Sequence, residues 1–213
     1  MNIFQLLFYF IIIIPSAIVH EVAHGLAALW LGDDTAKRAG RLTLNPIAHI
    51  DLWGTILLPV FLLIFTKGAF IFAYAKPVPY NPYNLKTGLD ELKVSLAGPA
   101  ANFLLAAVFA AIARLIYLSP TVGGMAYFFS LIVMANIALA VFNLLPIPPL
   151  DGSKLLYLFI PKENLVLRQW LNQYGIIILL ALLFIGFDFI QPVISFLNQL
   201  FLGPVYYSLT GGL

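Results

Sequence analysis

His20-Glu21-Val22-Ala23-His24 places two of the chain's three histidines four residues apart, with a carboxylate beside the first, in a segment largely apolar from Ile11 to Leu31. On an α-helix, residues four apart share a face with β-carbons roughly 6 Å apart, so two imidazoles at this spacing can grip one ion. Glu21 stands next to the first imidazole, where a carboxylate can reach a water held by that ion. This is the arrangement of zinc hydrolases, in which zinc lowers the pKa of its water toward roughly 7 and the glutamate takes the proton. The bland alternative is a chance match, common in soluble helices. It is weaker within a membrane-length apolar run, where an ionisable residue costs about 2.5 kcal/mol or more at the bilayer centre and marks function by default.

Two histidines leave zinc short of a third protein ligand, with the fourth position kept for water. The chain has no cysteine, so thiolate ligands and disulfides are excluded and the third ligand must come from histidine or carboxylate. Asp151 is the candidate. It comes after a proline-rich break and precedes a glycine, the setting of an ordinary turn residue, and it gains weight only if the chain brings it to the depth of the histidines.

The elements that must position these groups are membrane helices. Of 213 residues 62% are hydrophobic and 9% charged, with a mean hydropathy of +0.99, which a soluble domain of this size would not tolerate. The net charge of +2 gives no reason to expect nucleic acid as a partner. There is no internal repeat and no low-complexity run, and the N-terminus lacks the basic region and small-residue cleavage site of a removable signal.

In order, a first span is expected over about Ile3 to Leu31, kinked at Pro15 and ended by Gly32-Asp33-Asp34. A polar connector comes next, in which Arg41-Leu42-Thr43-Leu44 alternates as a short strand would. The apolar run from Leu52 to Phe65 is short for a crossing, so a re-entrant or interfacial hairpin continuing through Ala75 is expected. Lys76-Pro77-Val78-Pro79-Tyr80-Asn81-Pro82 cannot be helical and reads as a loop or edge strand. Further spans are expected over Leu92 to Leu118, Val122 to Leu145 and Trp170 to about Phe187, with an interfacial helix in the tail. The fold class is therefore an all-α polytopic membrane protein of about four to six transmembrane helices, with a re-entrant or β-like cytoplasmic segment between the first two spans. It forms one domain over 1–213, with a core of about 3–160 and an extra span and tail over 161–213.

Counting basic residues orients it. If 52–75 re-enters, every Lys and Arg but Arg114 falls on one face; if it crosses, the split is four against seven. The positive-inside rule prefers the first, with the loops 32–91 and 146–170 in the cytoplasm and the N-terminus outside. The first span then descends to place His24 about seven residues, roughly 10 Å, above its cytoplasmic end. The span ending near Leu145 descends too and brings Asp151 to the same depth.

His20-Glu21-Val22-Ala23-His24, Gly98-Pro99-Ala100-Ala101-Asn102, and Asn143-Leu144-Leu145-Pro146 with Leu150-Asp151-Gly152, in this order and on apolar segments, resemble the site-2 protease family of intramembrane zinc metalloproteases. The resemblance covers about residues 10–160. It implies one Zn²⁺ per chain held by His20, His24 and Asp151, with Glu21 as general base and Asn102 and Asn143 near the substrate or the developing oxyanion. It implies as partners the lipid bilayer and the transmembrane helix of a membrane-protein substrate, cleaved in regulated proteolysis or clearance of membrane remnants. It also suggests that substrate adds as a strand, for which Lys76 to Asn81 is an edge. Asn102 and Asn143 are amides in apolar spans and suit donation to an oxyanion, although amides there also glue helices together. No stretch is polar enough for a PDZ or CBS domain, so the chain resembles the short, core-only form, expected in a bacterial or archaeal cell membrane with the site toward the cytoplasm.

His49 lies outside these motifs, in Asn45-Pro46-Ile47-Ala48-His49-Ile50-Asp51. It is a candidate to orient a ligand, to donate in the transition state or to bind metal itself; packing an interfacial loop explains it equally well. Asp51 reads as the cap of the next helix. Two other functions use the same ligands: a metal-binding or transport protein, which should show polar paths on both sides, and a non-proteolytic binder of transmembrane helices, for which Glu21 would be superfluous.

Overall fold

The computed structural model describes residues 3–65, 75–119, 121, 123–161, 163–185 and 189–210. Its helices divide between two units, Met1–Gly98 and Pro99–Leu213. Among the described residues, four helical stretches are long and apolar enough to cross a membrane: Ile11–Trp30, Gly88–Tyr117, Met125–Asn143 and Leu165–Leu182. The chain is an integral membrane protein, and no strand is found among the described residues.

In the first unit, helix α1 (Ile3–Trp30) runs through Pro15 and stops at Gly32, whose φ of 105° is open to glycine and costly for other residues. Asp33 then takes over. It is fully buried and accepts from Thr35 N–H at 3.2 Å and the Thr35 hydroxyl at 2.5 Å, which starts the one-turn helix α2 (Thr35–Arg38). Arg41 to Leu44 is irregular rather than a strand. Local bonds compete with a ladder here: Thr43 Oγ1 accepts from Asn45 N–H and Thr43 O pairs with the His49 ring.

A 3₁₀ turn, Pro46–His49, is capped by Asn45. Asp51 caps the next helical run, accepting from Trp53 N–H at 3.0 Å and Gly54 N–H at 2.7 Å. That run opens as a wide π turn, Leu52–Leu57, and leads into α3 (Leu58–Phe65). Fourteen residues at 1.5 Å each reach only about 21 Å, short of the roughly 30 Å hydrocarbon core. The continuation of the expected hairpin falls largely in 66–74, outside the described residues. From Ala75 to Asn81 the chain is extended and irregular, then Pro82–Asn84 turns into α4 (Gly88–Tyr117).

In the second unit, the remainder of α4, α5 (Met125–Asn143) and two terminal helices, α8 (Gln191–Leu202) and α9 (Pro204–Thr210), share one core. Ala106, Ala110 and Ala113 repeat along α4 at helical spacing, and these small side chains let Val133, Ile137, Leu202 and Val205 approach closely. The tail helices are too short to cross, yet Leu202 and Val205 are buried, so the tail packs into the core rather than lying only at an interface. Arg114 donates to Leu200 O at 2.5 Å, joining α4 to α8. Helix α7 begins at Leu165, earlier than expected, and extends to Ile185; Arg168 lies within it and donates to Tyr157 O and Ile160 O, tying it to the end of α6 (Ser153–Phe159).

Candidate metal centre

The helix places His20 and His24 on one face of α1, both more than nine-tenths buried. Their Nε2 atoms lie 3.1 Å apart with the rings nearly perpendicular. With zinc–nitrogen bonds of about 2.0–2.1 Å, that separation corresponds to an angle of roughly 100° at the ion, close to tetrahedral. His24 Nδ1 donates to the backbone carbonyl of Val94 at 2.7 Å, which favours the tautomer whose Nε2 can ligate a metal. Val94 is itself buried on α4.

One turn further along α4, Gly98 faces the pair. A β-carbon there would stand 2.5 Å from His24 Nε2 and 2.6 Å from His20 Cε1 and Nε2. The space that a side chain would fill is the space in front of both nitrogen atoms. The donor set therefore fits a zinc ion: two imidazole Nε2 atoms converging at 3.1 Å, one ring braced from behind, and a glycine that leaves room in front of them.

Glu21 lies beside the pair, and its Oε2 accepts from the backbone N–H of Val78 at 2.8 Å. Gly25, one turn on, allows this contact, because a β-carbon there would be 2.7 Å from Val78 Cγ1 and 2.5 Å from Leu42 Cδ2.

Asp151, the remaining expected ligand, is half-buried in the loop between α5 and α6. That loop is drawn tight: Gly152 N–H donates to Asn143 O at 2.7 Å, and a β-carbon on Gly152 would collide with Leu144 O, so only glycine fits. Asp151 is thereby held directly beyond the C-terminus of α5. Asn143 donates through Nδ2 to Leu139 O within its own helix. Asn102, fully buried, donates through Nδ2 to Asn136 Oδ1 at 2.7 Å, joining α4 to α5. His49 is buried, and its Nε2 pairs with Thr43 O at 2.8 Å in the loop-packing role.

Three contributors escaped the sequence. Val94 acts through a carbonyl, which its side-chain type cannot announce. Gly98 belonged to a recognised motif, but its closeness to the imidazoles depends on how two helices pack. Asp33 read as a helix terminator; the long-range partners Asn81 and Asn84 give it a second task.

Fold and site together define a polytopic membrane protein with a paired-imidazole pocket fit for a metal ion. The chain belongs to peptidase family M50, the site-2 protease family, whose model matches residues 8–120 and 118–184. It is 37% identical over 193 residues to YwhC of Bacillus subtilis, a protein named as a zinc metalloprotease, covering 87% of this chain and 81% of that one. It is 31% identical to Rip2 of Mycolicibacterium smegmatis, also named as a zinc metalloprotease, over 90% of this chain and 69% of the relative. Rip2 of Mycobacterium tuberculosis is 29% identical over the same shares. No solved structure matched the chain.

Proposed function

We propose that this protein is an intramembrane zinc endopeptidase that hydrolyses peptide bonds in or near transmembrane helices of membrane-protein substrates. The observation that carries the reading is the buried His20–His24 pair, converging at 3.1 Å on a membrane-spanning helix with Glu21 beside it. Family membership and the names of the relatives support the peptidase chemistry and the metal.

His20, His24 and Asp151 would hold the ion. When bound, zinc supplies a Lewis acid that makes water a nucleophile near neutral pH and polarises a carbonyl. The chain's own groups do the rest. Val94 holds His24 in its ligating tautomer. Glu21 takes the proton of the attacking water and passes it to the departing amine. Asn102, one turn past Gly98 on α4, and Asn143, at the end of α5, place amides near the substrate or its developing oxyanion. The surrounding apolar helices exclude bulk water, which strengthens each of these interactions.

The excess of Lys and Arg in the connectors supports a site facing the cytoplasmic side of the membrane. A helix's peptide bonds are shielded by their own hydrogen bonds, so the substrate must unwind locally before it is cut. The reading is tested with the full chain in liposomes carrying a model transmembrane substrate, with products mapped by mass spectrometry. Chelator-sensitive cleavage within or beside the apolar segment is expected; no cleavage of such substrates, or cleavage unaffected by removing metal, would overturn it.

A further inference from the structure

Between Lys76 and Tyr80 the chain reads Lys-Pro-Val-Pro-Tyr, and prolines 77 and 79 carry no N–H. Across Pro77-Val78-Pro79 the backbone thus owns one donor, and that donor is given to Glu21 Oε2 at 2.8 Å. Flanking prolines also fix φ on either side, so the donor is presented by a stiff segment.

This segment is fastened at both ends. Before it, Lys76 N–H donates to His49 O at 2.9 Å, and Arg41 Nη2 donates to Lys76 O at 2.8 Å and reaches Pro77 O at 3.5 Å. After it, Asn81 N–H donates to the buried Asp33 carboxylate at 2.7 Å, and Asn84 Nδ2 donates to its other oxygen at the same distance. In the middle, the Val78 side chain is buried, and Gly25 lies against its Cγ1. Gly25 is four residues from Glu21, so the segment lies along the face of α1 that carries the carboxylate.

We propose that Pro77-Val78-Pro79 is a strap that positions Glu21 for proton transfer through the single Val78 amide, and that Asp33 and Arg41 are the positioning residues that hold the strap. This rests on Glu21 acting as the base. A glutamate has three side-chain torsions, and an untethered carboxylate samples rotamers that point away from the reaction. One hydrogen bond, from an uncharged amide, fixes Oε2 and leaves Oε1 to take the proton. A displacement of about 1 Å at such a group costs on the order of a hundredfold in rate. His49 contributes to the strap through its backbone carbonyl.

The test replaces the Val78 amide by an ester, introducing the matching α-hydroxy acid during translation, in the otherwise unchanged full chain. Zinc content equal to wild type, KM within about twofold and kcat reduced by roughly ten- to a hundredfold are expected. Arg41→Ala should lower kcat in the same sense and Arg41→Lys, which can still donate to the two carbonyls, should restore much of it. A second readout needs no activity: the Val78 amide proton should exchange slowly in wild type and about tenfold faster or more in Glu21→Ala. Wild-type kcat in the ester variant, or unchanged Val78 exchange in Glu21→Ala, would overturn the strap. Failure of the protease reading would instead appear in the wild-type protein itself, with the exchange experiment still deciding the contact.

Discussion

Gly98 lies so close beneath His24 that a β-carbon added to it would stand 2.5 Å from the Nε2 atom. Gly98→Ala is therefore expected to displace one or both imidazoles and to weaken zinc binding by about ten- to a hundredfold, the cost typical of disturbing a ligand's orientation. Competitive zinc titration with the helical circular dichroism held in view checks this. Unchanged affinity would show that α4 yields at this point.

Asp33 gives a pH dependence outside the membrane-spanning segments. Burial alone would raise its carboxyl, but hydrogen bonds from Thr35, Asn81 and Asn84 outweigh burial and hold it below the usual carboxylate range. A group lowered on folding stabilises the native state above its unfolded pKa, and that contribution is lost as pH falls through the folded value. Thermal stability in detergent should thus fall on acidification below the ordinary aspartate range in wild type, with a weaker fall in Asp33→Asn. Asp33→Ala, which leaves several donors without an acceptor, should cost about 1–3 kcal/mol at neutral pH.

Asn136 and Asn102 form a fully buried amide pair between α4 and α5. Asn136→Leu removes the acceptor of this inter-helix hydrogen bond. A loss of about 0.5–2 kcal/mol is expected, read as a lower unfolding midpoint in detergent.

Gly152 tests how the Asp151 loop is held. Its α-carbon lies against the α5 terminus so tightly that Gly152→Ala would drive its methyl into Leu144 O. Opposite it in the same loop, Pro148 O would meet a β-carbon on Gly175 of α7 just as closely. Either alanine should destabilise by about 1–3 kcal/mol, and Gly152→Ala should also reduce zinc occupancy if Asp151 is a ligand. Metal content and unfolding midpoints of the two variants separate these effects.

Much of the membrane architecture was legible because bilayer thickness imposes a length on apolar helices, and the four candidate spans show that length directly. The convergence of the two imidazoles was legible because a four-residue spacing on a helix has one geometric consequence. What hid were features made by packing. Alternation at Arg41 to Leu44 suggested a strand, but the segment is irregular, with Thr43 O paired to the His49 ring. Arg168 has the look of a connector residue, yet α7 begins at Leu165 and takes it in. Asn102 and Asn143 advertised donors; Asn143 donates within its own helix to Leu139 O, and only packing reveals Asn136 as the acceptor for Asn102. Nothing local in Pro77-Val78-Pro79 points to Glu21, which is 57 residues away from Val78.

The most direct measurement of the central claim compares wild type and Glu21→Gln for zinc content and cleavage of a transmembrane substrate in the same liposomes. Glutamine keeps the shape of the side chain but cannot take the proton. One zinc per chain in both proteins, with cleavage only by the wild type, is the expected result; retained cleavage by Glu21→Gln would contradict the account.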